Sequence, residues 1–252
     1  MRRVQRFWTK LSFFLTFMTI LPFSTFSHFL MTVGVPGHWV LSHVMTRWVR
    51  LMYVIAGVRI RIEGHENLPV TGPYVIVSNH RSLLDFAAVS LLLRNKPVYV
   101  MKKELGKIPL FGYLVSRAGT IYLDRKNPDR DLQALEQLEN RLREGYTTLI
   151  FPEGTRSPDG GLQSFKKGAF HVAIHAGAPI VPLTILNSRE LLNPHDVKIR
   201  PGTIVFRLHP PIDTRRYSRD TVDELVSRAR HRIASALPME GDMRRQPDAR
   251  AA

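Results

Sequence analysis

Hydrophobic and polar positions change period along the chain, and each period predicts a different element. Residues 58–62 alternate apolar and basic side chains, which is typical of a strand with one buried face. Between residues 131 and 145, leucines recur at intervals of three and four before a glycine, which predicts a helix that ends at Gly145. One apolar face also predicts a last helix over about residues 220–237.

Short apolar and β-branched runs predict the remaining strands. They lie at residues 74–78, 97–101, 120–123, 147–151, 180–186 and 203–208, and helices are predicted at residues 83–94 and 109–117. The strand, helix and strand between residues 120 and 151 form one crossover unit. We therefore predict an α/β sandwich domain over residues 58–238, with a roughly seven-stranded mixed sheet flanked by helices. Residues 239–252 are predicted to be a disordered tail.

Residues 1–57 differ from this domain because their charged and apolar residues are segregated. An uncharged, largely apolar run of 36 residues separates Lys10 from Arg47, and basic residues flank both of its ends. Basic flanks prefer the cytoplasmic side of a membrane, but a single span would place its two flanks on opposite sides. Pro22 and Pro36 also interrupt the run. We therefore predict membrane-associating helices in residues 1–57, arranged as an interfacial hairpin rather than as a single span.

The net charge of +15 predicts an anionic partner, for which nucleic acid and anionic lipid are the two common choices. Eight basic residues and no acidic residue lie in residues 1–62. Nucleic-acid surfaces interleave basic with aromatic residues, whereas this chain segregates them, so we predict an anionic membrane surface and no nucleic acid. The chain has no cysteine, which excludes disulfides, thiolate metal sites and a cysteine nucleophile.

A histidine and an aspartate follow the predicted strand 74–78, in the run Asn79-His80-Arg81-Ser82-Leu83-Leu84-Asp85. A histidine can take a proton from a hydroxyl, and does so better when a carboxylate holds its other ring nitrogen. Positions five apart on one helix lie about 140° apart, so one of the pair must precede the helix. Ser82 and Asp85 fit a capping box, which would leave His80 in the turn before it. The same spacing also suits an ordinary helix cap with an unremarkable turn histidine.

Two more polar runs follow predicted strands, and each contains an arginine. Residues 151–157 combine Gly154, which permits close backbone approach, with Arg156, and residues 119–125 end at Arg125. Two arginines at one edge of a sheet can hold one phosphate. The alternatives are local ion pairs, of Arg125 with Asp124 or Asp129 and of Glu153 with Arg156.

Four runs in this order resemble the motifs of the glycerophospholipid acyltransferase family, specifically its bacterial 1-acylglycerol-3-phosphate (lysophosphatidate) acyltransferases. They are residues 79–85, 119–125, 151–156 and 179–182. The resemblance implies that His80 is the general base for the acceptor hydroxyl and that Asp85 orients it. It also implies a direct attack on an acyl thioester, with no acyl-enzyme, no metal and no cofactor.

The resemblance further implies the ligands and the place of the reaction. The acceptor's glycerol phosphate would contact Arg125, Glu153, Gly154, Thr155 and Arg156. Pro182 would shape the pocket wall, although ordinary strand packing explains it equally well. The implied reaction makes phosphatidic acid from a lysophospholipid and acyl-CoA or acyl-acyl-carrier-protein, with acyl carrier protein as one implied partner. The implied location is the cytoplasmic face of a bacterial inner membrane.

Two alternatives to this function stay open from the sequence. One is an acyltransferase for another acceptor, such as glycerol-3-phosphate, a different lysophospholipid or a lyso-aminolipid. The other is a basic membrane-binding protein that keeps the fold without catalysis. Replacement of His80 separates the enzymes from the binding protein, because it should abolish transfer without abolishing membrane binding.

Overall fold

Seven strands form one mixed sheet in the computed structural model, which describes residues 18–85, 90–93, 96–124, 126–158, 160–193 and 199–238. The strands are β1 (Val58–Glu63), β2 (Val75–Ser78), β3 (Pro97–Lys102), β4 (Ile121–Leu123), β5 (Thr147–Ile150), β6 (Ile180–Leu186) and β7 (Gly202–Leu208). Their order across the sheet is β1-β7-β6-β2-β5-β3-β4. The predicted α/β fold with a seven-stranded mixed sheet is confirmed.

The direction of the strands brings several loops to one edge of the sheet. β6, β2, β5, β3 and β4 run parallel, whereas β7 is antiparallel to β6 and parallel to β1. The residues that follow the five parallel strands therefore meet at one edge, which we call the carboxyl edge. β2 lies in the middle of the order and all four of its residues are buried, as expected of an interior parallel strand.

Helices pack on both faces of this sheet. They are α1 (residues 18–32), α2 (α-helical Gly37–Trp39 and Thr46–Ile55 with the π-helical segment Val40–Met45 between them), α3 (Phe111–Arg117), α4 (Pro128–Arg143), α5 (Gly168–His175), α6 (Ser188–Leu191) and α7 (Val222–Ser235). Buried side chains of α2 and α3 form a core with one face of the sheet. Those of α4, α5 and α7 form a second core with the other face.

The helix boundaries follow from capping residues that the leucine spacing did not reveal. α4 begins at Pro128, three residues before the predicted start, because the side chain of Asn127 accepts a hydrogen bond from the backbone N–H of Arg130. It ends before Gly145, which has the left-handed φ of 86° expected after a helix. The predicted helix 83–94 is wrong over residues 90–92, which form a turn. Residues 86–89 and 94–95 of that prediction lie outside the described residues.

α1 and α2 contact each other along their described residues. The rings of Phe23 and Trp48 stack with centroids 4.6 Å apart, and Trp48 Nε1 donates a hydrogen bond to Thr19 Oγ1 at 3.1 Å. Within the described part of the chain, we find no helix that combines the length and the apolar character needed to cross a membrane. The predicted membrane hairpin is therefore not confirmed, and the association of residues 1–57 with lipid stays a prediction. The predicted tail, residues 239–252, lies outside the described residues.

Candidate active site

The loop that follows β2 brings His80 and Asp85 together. His80 Nδ1 lies 3.0 Å from Asp85 Oδ2, and the Asp85 side chain is fully buried. The same oxygen accepts hydrogen bonds from the backbone N–H groups of Arg81 and Ser82 at 2.6 and 2.8 Å. A carboxylate only accepts, so this geometry assigns a proton to His80 Nδ1 and leaves Nε2 as a proton acceptor. The pair therefore has the arrangement of a general base with its orienting carboxylate.

The helix-cap chemistry predicted from Ser82 and Asp85 produces this convergence. Asp85 accepts the N–H of Ser82, and the N–H of Leu84 lies 3.3 Å from Ser82 Oγ. Ser82 Oγ also donates to the carbonyl of Leu192 at 2.8 Å, and Tyr53 Oη donates to the carbonyl of Leu84 at 2.6 Å. The cap and the histidine pair are therefore parts of one arrangement rather than alternatives.

Two contacts that the sequence analysis missed fix the histidine itself. Asn79 Nδ2 donates to the carbonyl of Ile185 at 2.9 Å, while the N–H of Ile185 donates to Asn79 Oδ1 at 2.8 Å. The ring of Phe151, which follows β5, stacks on the His80 ring with centroids 4.1 Å apart. The His80 side chain keeps 18% exposure, so the ring is held but remains accessible. The sequence offered one signal for these contacts, which is an asparagine directly before a histidine at the end of an apolar strand.

Glu153 holds the backbone of the histidine loop. Its Oε1 accepts the N–H of His80 at 2.7 Å and its Oε2 accepts the N–H of Gln163 at 3.1 Å. Burial raises the pKa of Glu153, and the two N–H donors partly oppose that rise. Among the described residues no ion pair joins Glu153 to Arg156, so the alternative of a local salt bridge between them is wrong. The geometry favours a positioning role for Glu153 over the predicted contact with substrate.

The turn after Glu153 carries exposed polar side chains, one of which has no hydrogen-bond or ion-pair partner among the described residues. Thr155 and Arg156 are exposed, and Arg156 forms no hydrogen bond or ion pair with the residues that the structure describes. Gly154 has a left-handed φ of 75°, and a Cβ atom there would lie 3.4 Å from Lys166 Nζ. Lys166 is therefore a second cation beside the turn, which the sequence analysis missed. Arg125 lies outside the described residues, so its predicted role stays a prediction.

Two other residues named in the sequence analysis, Asp124 and Pro182, have contacts within the fold. Asp124, which precedes Arg125, accepts a hydrogen bond from Lys103 Nζ at 2.6 Å, and this bond lowers the pKa of Asp124. Pro182 is buried within β6 opposite Val77, so strand packing accounts for it. Over the described ranges, no group of three or more His, Asp or Glu side chains could hold a metal ion.

Arg81 is a buried guanidinium that the sequence analysis did not identify. Its exposure is 7%, and its Nε has no hydrogen-bond partner among the described residues. Burial lowers the pKa of Arg81, while the charges of Glu190, Glu153 and Asp85 favour its charged form. The guanidinium therefore supplies positive charge that interacts with the two buried carboxylates of the site, Asp85 and Glu153.

Comparisons with known proteins agree with this geometry. Residues 59–186 match the family model described as Acyltransferase. Human 1-acyl-sn-glycerol-3-phosphate acyltransferase alpha is 32% identical over 198 residues, which cover 78% of this chain and 69% of that protein. The 1-acyl-sn-glycerol-3-phosphate acyltransferase of Haemophilus influenzae is 31% identical over 185 residues, covering 73% and 76%. The crystal structure of the 1-acyl-sn-glycerophosphate (LPA) acyltransferase PlsC from Thermotoga maritima superposes with a TM-score of 0.76 at 25% identity, covering 95% and 100%.

Proposed function

The chain belongs to the acyltransferase family, and from this premise we propose that it acylates the free sn-2 hydroxyl of 1-acylglycerol-3-phosphate. The product is phosphatidic acid for phospholipid biosynthesis, and the donor is acyl-CoA or acyl-acyl-carrier-protein. The observation that carries the proposal is the 3.0 Å contact between His80 Nδ1 and the buried carboxylate of Asp85. The names of the relatives support the choice of acceptor.

His80 would act as general base in a single displacement. Its Nε2 takes the proton of the acceptor hydroxyl while the hydroxyl oxygen attacks the thioester carbonyl, so that a C–O bond forms. Asp85 stabilises the imidazolium that results, because its charge lies against Nδ1. The C–S bond then breaks, the thiolate leaves, and the proton on His80 is returned to the thiolate. The acyl group is never bonded to the protein, and this route needs no cofactor.

Exposed cations at the carboxyl edge would bind the acceptor's phosphate. Arg156 is free of partners among the described residues, and Lys166 stands beside Gly154. Both belong to the segment that Glu153 ties to the backbone of His80, so a phosphate bound there would lie close to the base. We assign Arg125 to the same phosphate-binding group because it follows β4 in the sequence. We place the reaction at the anionic cytoplasmic face of a bacterial inner membrane, with residues 1–57 and the net charge of +15 as support.

Labelled acyl-CoA and a panel of lysolipid acceptors, with the purified protein in detergent, provide the test. We expect transfer to 1-acylglycerol-3-phosphate, and a loss of about 10³-fold in the rate for His80→Ala, since general bases contribute roughly 10²–10⁴. His65→Ala is the matched control, because His65 is exposed and its neighbour is the exposed Glu66. Unchanged transfer by His80→Ala would remove the mechanism. Transfer only to another acceptor would overturn the substrate, and a labelled acyl-protein that turns over would overturn the single displacement.

A further inference from the structure

The loop between β3 and α3 exposes apolar side chains at the carboxyl edge. Ile108 and Leu110 in the loop are 44% and 46% exposed, and Tyr113 in the first turn of α3 is 54% exposed. The four consecutive residues 107–110 are all exposed, although three of them are apolar. Because the loop follows β3, it lies at the same edge as His80, which follows β2. Apolar side chains grouped in this way on a surface mark a contact with another apolar phase.

The backbone of this loop holds those side chains outward. Leu110 has φ of 62° and ψ of −55°, a strained conformation for a residue with a side chain, and the N–H of Phe111 donates to the carbonyl of Pro109 in a γ-turn. A Cβ atom on Gly112 would clash with the carbonyl oxygen of Gly106, so the backbone before the loop's apolar tip touches the start of α3. The loop is therefore a closely packed unit in which Ile108 and Leu110 cannot easily fold inward.

A second exposed apolar surface adjoins the loop. The ring of Tyr113 contacts the ring of His28 on α1, with centroids 5.3 Å apart. α1 has an exposed apolar stripe, formed by Met18, Leu21, Phe26 and Phe29, and the exposed Val33 follows directly after the helix. The exposed cations of this segment are Lys102 at the end of β3, Lys107 in the loop and Arg117 at the end of α3, and the acidic Glu104 lies 3.5 Å from Lys102. Apolar tips accompanied by cations complement an anionic lipid surface.

We propose that residues 107–113 insert into the anionic leaflet as a second membrane contact, next to α1. The proposal rests on the proposed function in one respect, that the acceptor is a lipid held in the same leaflet. A protein that touches the membrane at one point can rotate about that point, whereas two points of contact fix its orientation. The contact of this loop would turn the carboxyl edge, and with it Nε2 of His80, toward the lipid. The loop thereby determines how the site faces its acceptor.

The absence of cysteine makes a single reporter possible. We would replace Leu110 by cysteine in the full-length chain, label it with a polarity-sensitive nitrobenzoxadiazole dye, and add vesicles of phosphatidylcholine and phosphatidylglycerol. The matched control is Leu132→Cys, because Leu132 is 59% exposed and lies on α4, on the opposite face of the sheet. We expect the dye at position 110 alone to shift to the blue and to be quenched by nitroxide lipids. A dye at position 110 that stays in water while the protein sediments with the vesicles would overturn the proposal.

A loss-of-binding variant gives a second, independent readout. Ile108→Ser with Leu110→Ser should weaken partitioning into these vesicles about tenfold, as expected for removing two partly buried aliphatic side chains from lipid. Leu132→Ser should partition like the wild type, and thermal melting shows whether each variant is folded. Equal partitioning of the double variant and the wild type contradicts the proposal. Neither experiment contains an acyl donor, so each can be read even if the proposed reaction is wrong.

Discussion

The loop after β2 and the turn after β5 lie side by side at the carboxyl edge, yet one is fixed and the other is half free. In the loop, the side chains of Asn79, His80, Ser82 and Asp85 all have partners. In the turn, Glu153 is bound while Thr155 and Arg156 are exposed. Groups that transfer a proton work better when the fold already holds them in the reactive geometry. Groups that bind an anion can lack a partner in the free protein, because the anion itself becomes their partner.

The largest effect should come from removing charge in the fixed loop without changing its shape. All three groups around Asp85 Oδ2 are donors, so the amide oxygen of Asp85→Asn can take its place. The fold should be retained, but the imidazolium would lose its counter-charge, and we expect kcat to fall about 10³-fold with KM little changed. Steady-state kinetics and a thermal melt test this. The control is Asp213→Asn, a change at an exposed ion pair, and a normal kcat for Asp85→Asn would refute the comparison.

A smaller effect, of the opposite kind, is expected in the free part of the turn. Arg156→Ala removes no hydrogen bond or ion pair with the described residues, so the melting temperature should change little. We expect KM for the phosphate-bearing acceptor to rise about 30-fold with kcat nearly constant, which corresponds to about 2 kcal/mol for a charge-assisted contact. Arg156→Lys should recover part of the loss. An effect of Arg156→Ala on kcat alone would mean that the turn takes part in the chemistry.

The third effect should fall on stability rather than on kinetics, and it should come from Glu153, which links the two segments. Glu153→Gln directs an amide N–H₂ toward one of two backbone donors, and we expect it to cost about 1–3 kcal/mol in the free energy of unfolding. Burial raises the pKa of Glu153 in the folded state above its pKa in the unfolded chain. Between these two pKa values the folded protein binds more protons at Glu153 than the unfolded chain does, so folding is favoured as the pH falls. The wild type should therefore gain stability relative to Glu153→Gln as the pH falls from 7 toward 5. Urea unfolding at both pH values measures this, with the exposed Glu66→Gln as control, and a gap that narrows at low pH would contradict it.

Elements with a clear local pattern could be predicted, and those without one could not. The alternation of β1, the apolar run of β6 and the leucine spacing of α4 each predicted the element that the structure contains. α5 was missed because its eight residues include the buried Ala169, Phe170, Val172 and Ala173 and show no clear alternation with polar positions. Strand order has no local signature at all, so the antiparallel pairing of β6 with β7 was not predictable from the residues of either strand.

The site divides in the same way. His80 and Asp85 are five residues apart, so cap chemistry sufficed to predict that they converge. The contact of Glu153 with the N–H of His80 joins residues 73 apart and depends on β2 lying next to β5. The stacking of Phe151 on His80 has the same origin. Sequence reasoning therefore predicted the contact between His80 and Asp85, whereas the contacts that hold His80 from β5 depend on the sheet.

Pairing at the far end of the sheet sets an order of assembly during synthesis. β1 pairs with β7, and Arg207 Nε donates to Glu63 Oε2 at 2.8 Å across 144 residues of chain. While the protein is being made, β1 leaves the ribosome early and must wait for β7 before it can join the sheet. α1 and α2 precede β1 in the chain, so they leave the ribosome before it. These two helices can thus reach a surface while the sheet that follows them is still incomplete.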